Sequence, residues 1–209
     1  RDPEMSRGLG DVYKRQMPIP FFNNRMSFLK RFAKWMSKNY PDVPVNMSEW
    51  THMQGGRDKG MDSALVTANV MYEDLSVLNV ISWQHWIAVS EVNYCDGLIY
   101  INLDDKTFEM TKRYYVTGNF SKYVPAGSVR VDAACDDSEL RLLAFKYDGG
   151  CAVIVINSTK KEKELSLPEQ YSAVKSAVTD DNNNLCEYDI AAPEHIKITP
   201  RSVTTIILR

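Results

Sequence analysis

Val43-Pro-Val-Asn-Met-Ser-Glu49-Trp50 is the stretch on which the reading of the chain turns. Val43, Val45 and Met47 alternate with smaller or polar residues, the period of two that marks a strand. The strand runs into a carboxylate, Glu49, set directly before an indole, Trp50. A helical pattern precedes it and another follows, so the local order is helix, strand, helix. Units of this kind close into barrels whose strands point their C-terminal ends into the active site. A glutamate at such an end is placed to act as nucleophile, acid or base. From the local pattern alone, a solvated loop glutamate is the better reading.

On the N-terminal side, Met17 to Asn24 reads as an extended loop, with Pro18, Pro20 and two adjacent phenylalanines. From Met26 to Asn39, Leu29, Phe32 and Met36 recur at helical spacing with Phe28 and Trp35 beside them. Lys30, Arg31, Lys34 and Lys38 fall on the opposite, wet face, and Tyr40-Pro41-Asp42 stops the helix. On the C-terminal side, Thr51 to Gly60 is a polar loop in which Gly55-Gly56 permits a sharp turn. At the end of a barrel strand it would line the cleft and bring His52 and Arg57 toward a substrate, although solvated loop residues are the better reading of both. Asp62 reads as the N-cap of the next helix, whose core face is Met61, Leu65, Ala68, Tyr72 and Leu75.

Leu78 to Ser90 is apolar and β-branched, as a strand buried on both sides would be. It brings Trp83, Gln84, His85 and Trp86 together at its C-terminal end. The two tryptophans read either as core or as faces on which the axial C–H groups of a sugar lie. His85 has no second ligand at a metal-binding spacing. Tyr94 to Lys106 reads as a hairpin turning at Asp96-Gly97 and Asp104-Asp105, and Thr111 to Tyr123 as an aromatic-rich helix. Pro125-Ala-Gly127 is the strongest break in the chain. Beyond it come short strands at Val129–Ala133, Leu140–Tyr147, Ala152–Asn157, Glu164–Leu167, Ala173–Thr179, Ile196–Thr199 and Val203–Leu208. Gly149-Gly150 is a hairpin signal and Asp180 to Asn184 a turn-rich loop. This spacing predicts a β-sandwich.

The 209 residues suffice for one domain and part of a second, and 44% hydrophobic with 25% charged residues is ordinary for a globular chain. A formal net charge of −2 argues against a strong electrostatic grip on nucleic acid or anionic membranes. No apolar run reaches the roughly 20 residues of a membrane helix. Cys95, Cys135, Cys151 and Cys186 lack CxxC spacing, so they carry no metal signature. A Cys135–Cys151 or Cys151–Cys186 disulfide and free thiols both remain open readings. Residues 1–16, RDPEMSRGLGDVYKRQ, fit no periodicity and resemble translated adapter sequence, to be set aside from the fold.

From Lys30 to Arg130 the chain resembles the C-terminal part of glycoside hydrolase family 30. The residues that carry this are Met47-Ser-Glu49-Trp50, Gly60-Met-Asp62, Ser82-Trp-Gln-His-Trp86 with Ala88-Val-Ser90, and Asp96-Gly-Leu-Ile-Tyr100. Lys112-Arg-Tyr-Tyr-Val116, Gly118-Asn-Phe-Ser121 and Pro125-Ala-Gly127 follow in order. Pro200 to Ile206 resembles the closing strand of the family's side domain, and β-1,6-galactanase-like and glucanase-like members look most similar. The resemblance implies α/β plus all-β architecture. Residues 17–126 would form the C-terminal part of a (β/α)8 TIM barrel, about units six to eight, and residues 127–209 an antiparallel β-sandwich side domain.

The resemblance also implies retaining hydrolysis of a glycan, with two carboxylates roughly 5–5.5 Å apart. Glu49 would be the nucleophile, and Trp50, Trp83, Trp86 and His52 would meet the sugar. It implies no cofactor and no metal, and a secreted or periplasmic parent protein. The family's acid/base glutamate follows an asparagine, and no Asn-Glu pair occurs in these 209 residues. The expectation is a glycosidase fragment, inactive as given. The alternative is a non-catalytic carbohydrate-binding sandwich, whose mark would be solvent-facing aromatics, and after Gly127 these are few (Phe145, Tyr147, Tyr171 and Tyr188). A sandwich that braces the barrel by packing is the better reading.

Overall fold

The structure is a computed structural model and describes residues 22–52, 54–168 and 171–209. The adapter-like segment 1–16 and residues 17–21 of the expected entry loop lie outside the described residues. Helix α1 spans Phe22–Asn39 and so takes in Phe22 to Asn24, which read as loop. Prolines block a helix at interior positions, whereas residues following them are free to start one. Leu29 of α1 packs with Leu78 and Val80 in a small core.

Strand β1 is Asn46–Trp50. It begins later than the alternation from Val43 suggests, because Pro44 has no N–H to give a ladder. Helix α2, Met61–Glu73, continues into a π-helical turn at Asp74–Leu78. Its N-cap residue is Gly60, not Asp62. The side-chain capping comes instead from Asp58, whose two oxygens accept Gly60 N at 2.8 Å and Ser63 N at 2.9 Å. Asp62 pairs with Arg201 at 2.9 Å.

The single strand expected over Leu78 to Ser90 is two strands in two sheets. β2, Ser82–His85, pairs parallel with β1. β3, Val89–Ser90, pairs parallel with β4, Ile99–Asn102, which forms a hairpin with β5, Thr107–Met110. Burial on both sides does not hold either, since Ile81 is 67% exposed. Helix α3, Lys112–Ser121, is capped by the Thr111 side chain, which accepts from Tyr114 N.

The rest of the chain is antiparallel. β6 (Val129–Val131), β7 (Leu140–Tyr147), β8 (Gly150–Asn157), β10 (Ala173–Thr179), β11 (Asn184–Asp189) and β13 (Ser202–Leu208) form one sheet in the order β11-β10-β13-β8-β7-β6. β9 (Lys163–Leu165) and β12 (Ile196–Ile198) form a separate pair. Alternation along β7, β8 and β13 gives the large sheet two apolar faces. Leu143, Phe145, Ile154, Ile156 and Val203 pack against Met61, Leu65, Ala68, Val116 and Phe120 of α2 and α3. Leu140, Ala144, Val153, Val155, Ile206 and Leu208 pack against Leu165, Ile196 and Ile198. All four cysteines are free thiols, and no described helix is long and apolar enough to cross a membrane.

Candidate active site

β1 and β2 run parallel in the register Asn46↔Ser82, Met47↔Trp83 and Trp50↔His85. Ser48 and Glu49 therefore face the single residue Gln84, a bulge of the kind that re-aims side chains next to active sites. The ladder continues beyond the bulge, with Trp86 N donating to Trp50 O at 2.8 Å. Glu49-Trp50 and His85-Trp86 thus meet at the same C-terminal end of the parallel pair. Glu49 is partly exposed, and its carboxylate has no side-chain hydrogen bond or ion pair among the described residues.

The same strand end carries an aromatic cluster. Trp50 is 5.7 Å from Trp83, 6.1 Å from His85 and 6.5 Å from His52, ring centre to ring centre, and stacks on His52 at an interplanar angle of 13°. Trp83 is half-buried, packs against the helical core, and donates its indole N–H to Asp74 Oδ2 at 3.0 Å. Trp86 stands apart, 51% exposed and free to offer its face to a ligand. The Trp86–Ile87 peptide bond is cis.

Two loops close the site's floor. Cys95 N donates to Gln54 O at 2.8 Å and Gly56 N to Asn93 O at 3.3 Å, zipping the loop after β1 to the one after β3. Arg57, read as a solvated loop residue or a substrate contact, is engaged here. Its Nε donates to Val92 O at 2.9 Å, its Nη2 to Glu91 O, and its guanidinium lies 4.8 Å over the Tyr100 ring. Beneath the zipper, Arg113 is fully buried. Its Nη1 donates to Asp58 O, Ser63 Oγ and, at 3.1 Å, Cys95 Sγ. Its Nη2 donates to Gly97 O at 2.6 Å and Tyr100 OH at 3.0 Å.

Burial lowers the pKa of both histidines of the cluster. Burial, more than the nearby Arg113 charge, pushes His52 below the usual imidazole range, and its Nδ1 sits 3.6 Å from Cys95 Sγ. Burial lowers His85 to about 4. His85 Nε2 donates to Asp96 O at 2.8 Å. Among the described residues, no group of three or more His, Cys, Asp or Glu side chains could hold a metal ion. An open cleft nearby is lined by Arg57, Glu91, Ile101, Asn102, Leu103 and Asp104, and neither Glu49 nor any indole borders it. The strand end therefore presents one carboxylate, Glu49, and exposed and half-buried aromatic faces.

The structure thus brings Trp50, Trp83 and His52 together, with Glu49 next to Trp50 in the strand and Trp86 exposed beside His85. The sequence reading missed Asp74 and Arg113. Asp74 lies inside a helical run that continues to Leu78 and carries no local mark of the cation it meets. Arg113 sits in an aromatic-rich helix with no local mark of its burial.

The sequence model of O-glycosyl hydrolase family 30 matches residues 43–100, the span that holds β1, β2 and both zipped loops. Lysosomal acid glucosylceramidase of Mus musculus is 27% identical over 159 residues, covering 71% of this chain and 28% of that protein. A conserved exported protein from Bacteroides fragilis superposes with a TM-score of 0.76 at 20% identity, over 87% of this chain and 42% of that one. A glycoside hydrolase family 30 subfamily 8 xylanase from Clostridium acetobutylicum does so with a TM-score of 0.63 at 20% identity, over 79% of this chain and 42% of that one. The chain spans 28% of the length of the curated relative and 42% of each of these two solved structures. The solved structures share its fold, and the matched segment carries the strand ends on which the resemblance was read. Over residues 43–100 this chain is similar to glycoside hydrolase family 30.

Proposed function

We propose that the chain carries the nucleophile side of a retaining β-glycosidase, with Glu49 as the nucleophile. The observation that supports this most directly is the shared strand end, where Glu49-Trp50 and His85-Trp86 meet through the Trp50↔His85 register. The Glu49 carboxylate attacks the anomeric carbon as the bond to the leaving oxygen breaks, and water later opens the glycosyl-enzyme. Trp86 floors the subsite at the cleavage point, Trp50 and His52 line it, and Trp83 backs Trp50. The glucosylceramidase and the xylanase among its relatives favour a glycan substrate. The exported relative favours a secreted or periplasmic parent. Residues 17–126 are read as the C-terminal part of a (β/α)8 barrel. Residues 127–209 are read as its β-sandwich side domain, the large sheet closed on one face by β9 and β12.

Cleavage also needs a general acid at the leaving oxygen, help worth roughly 10²–10⁴-fold. With no Asn-Glu pair in its 209 residues, the chain alone is inactive on glycosides with poor leaving groups. The test uses 2,4-dinitrophenyl 2-deoxy-2-fluoro-β-glycosides of glucose, galactose and xylose, whose leaving group needs no acid. The expected result is a sugar adduct mapped by mass spectrometry to Glu49 and lost in Glu49→Gln. An adduct on another carboxylate, or none on the unmodified chain, overturns the assignment. Glu49-dependent release of phenol from plain phenyl β-glycosides overturns the inactivity.

A second reading keeps one specific observation in its favour. Tyr171 and Tyr188 are 46% and 48% exposed on the antiparallel part of the chain, as a glycan-binding face requires. Retention on an insoluble β-glucan lost in Tyr188→Ala, but kept in Glu49→Gln, would support it over the first.

A further inference from the structure

The two acids that close α2 are met by cations from distant elements. Arg25 of α1 donates Nη2 to Asp74 Oδ1 at 2.5 Å and Nη1 to Glu73 Oε2 at 2.7 Å. Arg141 of β7 reaches Glu73 Oε1 at 3.1 Å and lies 5.2 Å over the Tyr72 ring. Asp74 has no exposed surface, yet its second oxygen is turned to Trp83, whose indole N–H it accepts at 3.0 Å. Trp83 in turn leans on Trp50 at 5.7 Å, the residue next to Glu49. A continuous line of contacts therefore runs from the antiparallel sheet, through Glu73, Arg25 and Asp74, to the aromatic wall.

A buried ion pair is a weak way to gain stability, since apolar residues of similar shape often do as well. An apolar residue at position 74 would not accept the indole N–H, and a lone tryptophan ring in a half-buried site has more than one way to lie. We propose that Asp74 is a positioning residue that fixes the Trp83 ring, and through it Trp50, and that Arg141 of the sheet holds Asp74 in place by way of Glu73 and Arg25. The inference rests on the glycosidase reading only in taking that wall as one that faces sugar.

The experiment is a ¹H–¹⁵N spectrum of the indole N–H groups in the full chain, which has four tryptophans; Trp83→Phe assigns the Trp83 signal by its loss. In the unmodified chain the Trp83 indole proton is expected to exchange with solvent at least tenfold more slowly than that of Trp86, about the worth of one charge-assisted bond. Equal rates in the unmodified chain overturn the proposal. Asp74→Asn is expected to move the Trp83 and Trp50 signals and leave that of Trp86 in place. A Trp83 signal that stays put overturns the Asp74 role. Arg141→Met, at a side chain 38% exposed that does not touch Trp83, is expected to move the Trp83 signal as well. No movement overturns the sheet's part in the line. None of these outcomes depends on a glycan or on Glu49, so failure here and failure of the fluoroglycoside experiment are separate results.

Discussion

At His85 the ring is fixed from one side only. Nε2 donates to the Asp96 carbonyl, while Nδ1 lies buried without a partner among the described residues. Protonating Nδ1 would place a second positive charge near Arg113 with no acceptor for it. Burial accordingly holds the group down to about 4. The unfolded chain binds that proton near the ordinary value of about 6.5, so the folded state is favoured fully above about 6.5. The advantage shrinks as pH falls to about 4 and is constant below that. Urea midpoints should drop across this window, and His85→Gln should flatten that part of the profile. A profile unchanged by the substitution would count against the assignment. At this scale the sequence was informative where a residue's role shows in its immediate neighbours, as for Gly149 in the Gly149-Gly150 turn, which takes a φ of 82°. It was silent on Asp74 and Arg113, whose partners lie up to 55 residues away along the chain.

Elements were legible where side-chain period and turn chemistry agree. β7 and β10 have the bounds read from sequence, and Gly149 supplies the positive φ of 82° in the turn leading from β7 to β8. β11 escaped notice, since Asn184 to Asp189 forms an edge strand with three consecutive exposed residues at its end, and a strand that buries no face leaves no alternation to read. The Leu78 to Ser90 run misled for the opposite reason: two short strands in different sheets together mimic one long one. The cap of α2 gives a direct check. Asp58→Ala should cost about 1–2 kcal/mol, the worth of a side-chain cap, whereas Asp62→Ala should cost only the few tenths typical of an exposed ion pair. Equal losses in chemical denaturation would return the cap to Asp62.

For the whole molecule, the break at Pro125-Ala-Gly127 divides the sequence more sharply than it divides the core. Leu143, Phe145, Ile154, Ile156 and Val203 lie after the break and share one cluster with Met61, Leu65, Ala68 and Phe120, which lie before it. Residues 128–209 expressed alone would open that face to water, and large exposed apolar patches drive association. The expected outcome is an aggregating or poorly folded product. A monomer with a sharp thermal transition would show instead that the sheet is self-sufficient. The periodicities reveal each face of the sheet but not which distant element covers it, since covering is a tertiary fact.

Arg113 has one more consequence. Five groups on Asp58, Ser63, Cys95, Gly97 and Tyr100 converge on its guanidinium, drawing the loops on either side of the site to a single point much as a disulfide would. This staple has no sulfur–sulfur bond to reduce, and the four thiols of the chain are unpaired. The loops beside Glu49 should therefore keep the same melting temperature with and without dithiothreitol. Their hold on the site is indifferent to reductants.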